Sequence, residues 1–120
     1  MVLKPLFITI SAVVFTLVSC TFYLIFLLFA KTNNSFYRAA FWWATWIVKI
    51  AGVNIIIKGK TSSTSLVYIS NHLSLFDIPI LLSVLSHGCV MMYKKELHSF
   101  PIFGWLLKKS PFIAVDRSNN

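Results

Sequence analysis

The sequence predicts an α/β chain: N-terminal membrane helices followed by an incomplete βαβαβ unit with a mostly parallel sheet. Three observations lead there. Pro5 to Ala30 contains no charged residue, residues 36–57 form a second apolar stretch that carries cations and tryptophans, and after Asn54 short β-branched runs alternate with helical ones. At 120 residues there is room for one domain at most.

Composition points the same way. The chain is 58% hydrophobic with a mean hydropathy of +0.79, against about 45–50% apolar residues in ordinary soluble domains. Eleven Lys and Arg stand against three acids, Asp77, Glu96 and Asp116, for a net charge of +8. A basic excess suits nucleic acid, anionic lipid or a phosphorylated substrate. The apolar content selects lipid, because a nucleic-acid binder needs a solvated basic face and so apolar a chain has little such surface. Cys20 and Cys89 make no disulfide framework, so a reducing compartment is expected.

The first element is the uncharged run. Its 26 residues, Pro5 to Ala30, would make a helix of roughly 39 Å, enough to cross a hydrocarbon core of about 30 Å with tilt. A cleaved secretory signal would have a shorter apolar core and then a polar start. Leu17-Val18-Ser19-Cys20 resembles a lipoprotein cleavage box, yet Thr21 to Ala30 continues apolar. The reading is an uncleaved anchor. Lys31 and Arg38 follow it against Lys4 before it, which favours a cytoplasmic location for the downstream part.

Residues 36–57 differ in kind, because Lys49 sits mid-segment. A lysine at the bilayer centre costs about 2.5–3.5 kcal/mol on insertion scales. Projected at about 100° per residue, Arg38, Thr45 and Lys49 share a narrow stripe, and Trp42, Trp43 and Trp46 lie on the same helix. The pattern suits a helix lying in the membrane interface, or one dipping in with Lys49 snorkelling, better than a clean span; the alternative is a core helix of a soluble domain. Residues 1–58 thus form a membrane-anchoring segment, and 59–120 a separate α/β portion.

In that second portion, Asn54 to Lys58 reads as a short strand ended by Gly59, residues 61–65 as a polar loop, and Leu66 to Ile69 as a buried strand. Residues 75–86 read as a helix, Cys89 to Tyr93 as a strand, 98–109 as a helix and Phe112 to Val115 as a strand. Alternation of this kind implies parallel pairing through crossovers.

The stretch that carries chemistry is Ser70-Asn71-His72-Leu73-Ser74-Leu75-Phe76-Asp77, directly after a strand, where open α/β sheets place their sites. Within one regular helix His72 and Asp77 would point about 140° apart. With His72 in the turn and Asp77 in the first helical turn, the carboxylate can reach back to one imidazole nitrogen and leave the other as a base. The same letters also spell a capping box, Ser74 to Asp77, which would make Asp77 a helix-start residue and nothing more. Pro79 fits only in a first turn, so the helix should start between Ser74 and Asp77. His87 and His98 show no metal-ligand spacing, and no metal or cofactor is expected.

Asn71-His72, four residues, Asp77, then Ile78-Pro79 resembles the first motif of the glycerolipid acyltransferases, of the 1-acylglycerol-3-phosphate acyltransferase type. Lys94-Lys95-Glu96-Leu97, then Pro101-Ile102-Phe103-Gly104-Trp105, resembles the stretch that follows in that family, and Phe112-Ile113-Ala114-Val115-Asp116-Arg117 resembles its next strand. Three motifs in order make the resemblance specific.

The resemblance implies that His72 takes the proton from a lysophospholipid hydroxyl attacking an acyl thioester, while Asp77 orients it. The acceptor would be lysophosphatidic acid, the donor acyl-CoA or an acyl carrier protein, and the product phosphatidic acid. Its dianionic head calls for nearby cations: Lys94 and Lys95, with Arg117 next, and Gly104 beside them as a position of close backbone approach. The family's Glu-Gly-Thr-Arg turn and a later proline-containing strand are not present up to Asn120, so the expectation is an N-terminal portion, with an open sheet edge, that anchors but does not turn over. Two alternatives stay open: a non-catalytic membrane-bound interaction protein, and an acyltransferase for another lysolipid.

Overall fold

The computed structural model of the chain describes residues 3–29, 33–59, 67–85, 89–116 and 118. Helix α1 spans Leu3–Phe26, and a turn over residues 27–29 follows it. Its 24 residues reach about 36 Å, so α1 is long and apolar enough to cross a membrane. Only 6% of its most apolar window is buried, far from the covered state of a core helix. Its hydroxyls are satisfied within the helix: Thr9, Thr16 and Thr21 donate to the carbonyls of Pro5, Ala12 and Leu17 at 2.9, 2.8 and 2.8 Å. That bonding lets an apolar helix carry threonine away from water.

Helix α2, Asn33–Ala51, runs antiparallel to α1. The Tyr23 hydroxyl lies 2.9 Å from Ser35 Oγ, and the Trp43 indole N–H donates to Thr16 Oγ1 at 3.1 Å. The second apolar stretch is therefore helical only as far as Ala51. Gly52, at φ +66°, ends it. The Gly52 N–H donates to the Lys49 carbonyl at 3.0 Å and the Val53 N–H to the Val48 carbonyl at 3.1 Å, a Schellman motif whose left-handed residue favours glycine.

One face of α2 is core. Phe36, Ala44, Ile47 and Val48 are buried there, and the helix packs against both α1 and α3, Asp77–Val84. The opposite strip, Arg38, Trp42, Trp46 and Lys49, is exposed. The buried face fits the core-helix reading, and the exposed strip carries the cations and tryptophans on which the interface reading rests. Helix α3 contributes Pro79 and Leu82 to the core. Pro79 is third in the helix, where an N–H would have no intrahelical acceptor to lose.

Strands β1, Met92–Lys94, and β2, Ile113–Val115, pair in parallel with Met92 opposite Ile113 and Lys94 opposite Val115. The crossover between them holds a 3₁₀ turn, Lys95–Ser99, and helix α4, Phe103–Lys109. The single helix expected over 98–109 is corrected here: it breaks at Phe100 to Ile102. Pro101 keeps Phe100 extended, at φ −72° and ψ 127°. Ile102, at φ 62° and ψ −64°, centres a γ-turn closed by the Phe103 N–H donating to the Pro101 carbonyl at 2.6 Å, a conformation that costs a β-branched residue about 1–3 kcal/mol.

Close docking of α4 on the 3₁₀ turn holds that break in place. Gly104 is buried, and a Cβ there would lie 2.6 Å from the His98 carbonyl oxygen and 2.7 Å from that of Leu97. The Tyr93 hydroxyl donates to the Leu107 carbonyl at 3.2 Å. With its one proton so placed, it accepts from His98 Nε2–H at 2.7 Å, and burial raises the Tyr93 pKa. Phe36 meets Phe112 edge-to-face at 5.1 Å, tying the helical hairpin to the start of β2.

Two expected strands do not form. Residues 54–58 and 67–69 are irregular, and Leu66 with the expected loop 61–65 lies outside the described residues. Val67 is 85% and Ile69 93% exposed, not buried. A strand buried on both faces needs a neighbour to pair with and layers to cover it. Among the described residues the sheet has two strands, β1 and β2, and neither pairs with these segments. Among the described residues the architecture is thus α/β, with one parallel strand pair and helices α1, α2 and α3 packed in sequence, and the full βαβαβ is not seen.

The two glycines give contrasting predictions. Gly52→Ala meets nothing within 4 Å and should cost only the left-handed penalty, about 1–2 kcal/mol. Gly104→Ala collides with backbone, and overpacking of that kind costs about 1–3 kcal/mol, with no flexible side chain to yield. Thermal unfolding in detergent micelles should show Gly104→Ala losing resistance to proteolysis across 95–109, with Gly52→Ala leaving that segment intact. An unchanged cleavage pattern in Gly104→Ala would contradict the close docking.

Candidate active site

The site is built by the turn that leads into α3. Ser74 opens it: the Phe76 N–H donates to Ser74 Oγ at 3.2 Å and the Asp77 N–H to the Ser74 carbonyl at 3.1 Å. Asp77 then reaches back. Its Oδ2 accepts from the Leu73 N–H at 2.8 Å, from the Ser74 N–H at 2.9 Å and from His72 Nδ1 at 3.1 Å. Only the returning half of the expected capping box forms: the Asp77 carboxylate bonds the Ser74 N–H, while the Ser74 hydroxyl accepts from Phe76 instead of Asp77 and the N-cap position, Phe76, has no side-chain cap. The same carboxylate oxygen also contacts His72 Nδ1, so Asp77 does more than start the helix.

Protonation follows from this geometry. The Asp77 pKa is lowered first by the Ser74 and Leu73 backbone N–H groups and less by His72, against desolvation, which raises it. Asp77 is therefore an anion at neutral pH, able only to accept, so neutral His72 must carry its proton on Nδ1. Nε2 is left with its lone pair. The His72 side chain is 61% exposed against 27% for Asp77, so the base faces outward while its partner is half-covered. Leu73 and Leu75 beside it are 93% and 83% exposed, giving the turn an apolar rim. The arrangement can take a proton from an acceptor brought to an apolar surface.

The other expected site residues sit on the β1–α4–β2 unit. Lys94 Nζ pairs with Glu96 Oε1 at 3.1 Å, and Lys95 Nζ with Asp116 Oδ2 at 2.9 Å. Lys95 is raised in pKa chiefly by its hydrogen bond to Asp116. Asp116 is pushed well below the usual carboxylate range by Ser118 first and Lys95 next. Both pairs are exposed, where solvent screens them and they exchange readily with other partners. Gly104's place is accounted for by packing on the 3₁₀ turn, and Arg117 and His87 lie outside the described residues. None of the hydrogen bonds and ion pairs described here joins Lys94 or Lys95 to the His72–Asp77 pair. Among the described residues no cluster of His, Cys, Asp and Glu could hold a metal ion.

Sequence reasoning missed the backbone donors of Leu73 and Ser74, and Asp116 as the partner of Lys95. The second was recoverable: the register that sets Lys94 opposite Val115 brings the next residues, Lys95 and Asp116, to one sheet edge.

Comparison with known proteins matches the chain over residues 47–120 to a family model described as Acyltransferase. A 1-acyl-sn-glycerol-3-phosphate acyltransferase of Cocos nucifera is 39% identical over 71 residues, which cover 58% of this chain and 23% of the relative. The chain thus spans about a quarter of that protein's length. No solved structure matches.

A depressed Asp77 pKa has a definite pH consequence. The contribution of its hydrogen bonds is present above the unfolded pKa and lost as pH falls through the lower folded one. Carboxyl-carbon NMR should find Asp77 titrating below an unstructured aspartate, with the Leu73 and Ser74 amide resonances moving in the same acidic step. An ordinary Asp77 titration with those amides unmoved would contradict the bonding.

Proposed function

This chain belongs to the acyltransferase family, and on that premise we propose that it serves transfer of an acyl group from a thioester donor to the free hydroxyl of 1-acylglycerol-3-phosphate, making phosphatidic acid. The observation that carries the proposal is the His72–Asp77 contact of 3.1 Å, in which an acceptor-only carboxylate fixes Nδ1 as donor and leaves Nε2 as base. His72 Nε2 takes the hydroxyl proton as the oxygen attacks the thioester carbonyl. The tetrahedral intermediate collapses with loss of thiolate, which takes the proton from the imidazolium. Protons balance, and no redox partner is required. Asp77 stabilises the imidazolium formed on the way.

The relative's name supports the phosphorylated acceptor, and so does the chain's basic excess. Lys94 is proposed as the principal phosphate contact, because its pair with Glu96 is local, whereas Lys95 ties the end of β1 to Asp116 beyond β2. Arg117 and Gly104 complete the proposed binding set, with acyl-CoA or an acyl carrier protein as donor. The proposed location is a membrane, through α1, with the site on the cytoplasmic side.

Two substitutions test this in membranes from cells expressing the protein from its own gene. His72→Ala should lower transfer by about 10²–10⁴, the range of general-base assistance, without releasing the protein from membranes. Transfer at the unmodified level would end the proposal. Lys94→Ala should raise the apparent KM for the lysophosphatidic acceptor about tenfold, the effect of one charge-assisted contact, with little change for the thioester. Equal effects on both substrates would place Lys94 outside the phosphate site.

A further inference from the structure

We propose that Asp116 is a positioning residue for the phosphate contact: by holding Lys95 across the ends of β1 and β2, it aims the neighbouring Lys94 at the acceptor's phosphate. This rests on the acyl-transfer reading above, in which Lys94 meets that phosphate. The register is the first observation. The strands have three partnered positions, and Lys94 opposite Val115 is the last of them. A ladder so short frays at its end unless something beyond it ties the strands. The next residue of each strand supplies the tie: Lys95 Nζ donates to Asp116 Oδ2 at 2.9 Å, across 21 positions of sequence. The other pair works differently. Lys94 Nζ meets Glu96 Oε1 at 3.1 Å within the same turn, so it joins no two elements.

The second observation is that Asp116 is itself held. Its Oδ1 accepts from the Ser118 N–H at 3.0 Å and from the Ser118 hydroxyl, which leaves Oδ2 for Lys95. One carboxylate therefore shapes the chain after β2 and reaches across the sheet end. An exposed pair is limited by screening and by the ordering of two side chains, and here one of the two is ordered in advance. A pair that exchanges with solvent still biases the strand ends for as long as it is made, so its effect is a modest factor.

Side-chain direction connects this tie to Lys94. The Tyr93 hydroxyl reaches the Leu107 carbonyl, so Tyr93 points to the α4 side of the sheet. Alternation along β1 sends Lys94 to the opposite face. Met92 and Ile113, paired in register and both exposed, show that this face is uncovered among the described residues. Lys95 is drawn aside to β2 instead. The chain has three acids, and two of them meet these adjacent lysines. The distribution leaves the cation with the local acid on the open face and uses the other to fix its position.

Transfer kinetics on membranes from cells expressing the protein from its own gene test this. Asp116→Asn keeps an oxygen for Ser118 but removes the charge that faces Lys95. It should raise the acceptor KM about three- to fivefold, the scale of one exposed pair, and leave the thioester KM and saturated turnover in place. Asp116→Glu, which retains the charge, should lose less. Lys95→Gln should raise the acceptor KM as far as Asp116→Asn does, and the two combined no further, since both break one bond. A Lys95 that touched phosphate itself would be freed by Asp116→Asn, so a lower or unchanged acceptor KM would overturn the proposal. So would additive effects in the double variant, or equal losses for both substrates and turnover, which would mark a purely structural pair. Absence of transfer by the unmodified protein is a separate result, and it would remove the acyl-transfer reading together with this one.

Discussion

The arrangement of the site depends on one oxygen atom. Asp77 Oδ2 gathers the Leu73 N–H, the Ser74 N–H and His72 Nδ1 within 3.1 Å, and so closes the turn, starts α3 and aims the imidazole together. The constraint is chemical as much as geometric. A carboxylate held anionic by two backbone donors can only accept, which decides the histidine's tautomer with no further group. Four residues between His72 and Asp77 is the spacing that lets a residue in the first helical turn bond the backbone three and four positions back and still touch the side chain five back.

That turn needs α3 to be fixed, and α2 fixes it. Packed against α1 and against α3, α2 links the long apolar helix to the helix whose first turn holds His72. Phe36, buried in the hairpin and in edge contact with Phe112, carries the same connection to the β1–α4–β2 unit. The apolar helix and the His72–Asp77 turn are therefore mechanically continuous in this chain.

Much of this was legible in the sequence, for reasons that are local. An uncharged run longer than a bilayer core, a proline tolerated only in a first turn, and a serine three residues before an aspartate act through neighbouring backbone, so letters suffice. The helix stop at Gly52 was equally local and was passed over because the apolar texture continues to Ile57. The break at Ile102 was not legible: a β-branched residue at φ 62° contradicts its own preference and is held by α4 docking through Gly104. Residues 67–69 failed differently, since β-branched letters announce a strand only where a neighbour pairs with it. The role of Asp116 needed the β1–β2 register, a property of two segments and not of either one.

The account turns on which nitrogen of His72 carries the proton, and that can be observed directly. Imidazole ¹⁵N chemical shifts of His72, recorded on the selectively labelled chain in lipid at a pH where the ring is neutral, report it without reference to activity. The account predicts a protonated Nδ1 and a bare Nε2, converting to a mixture of tautomers in Asp77→Asn. A ring protonated on Nε2, or one whose tautomer is indifferent to Asp77→Asn, would contradict the claim that Asp77 prepares His72 as a base.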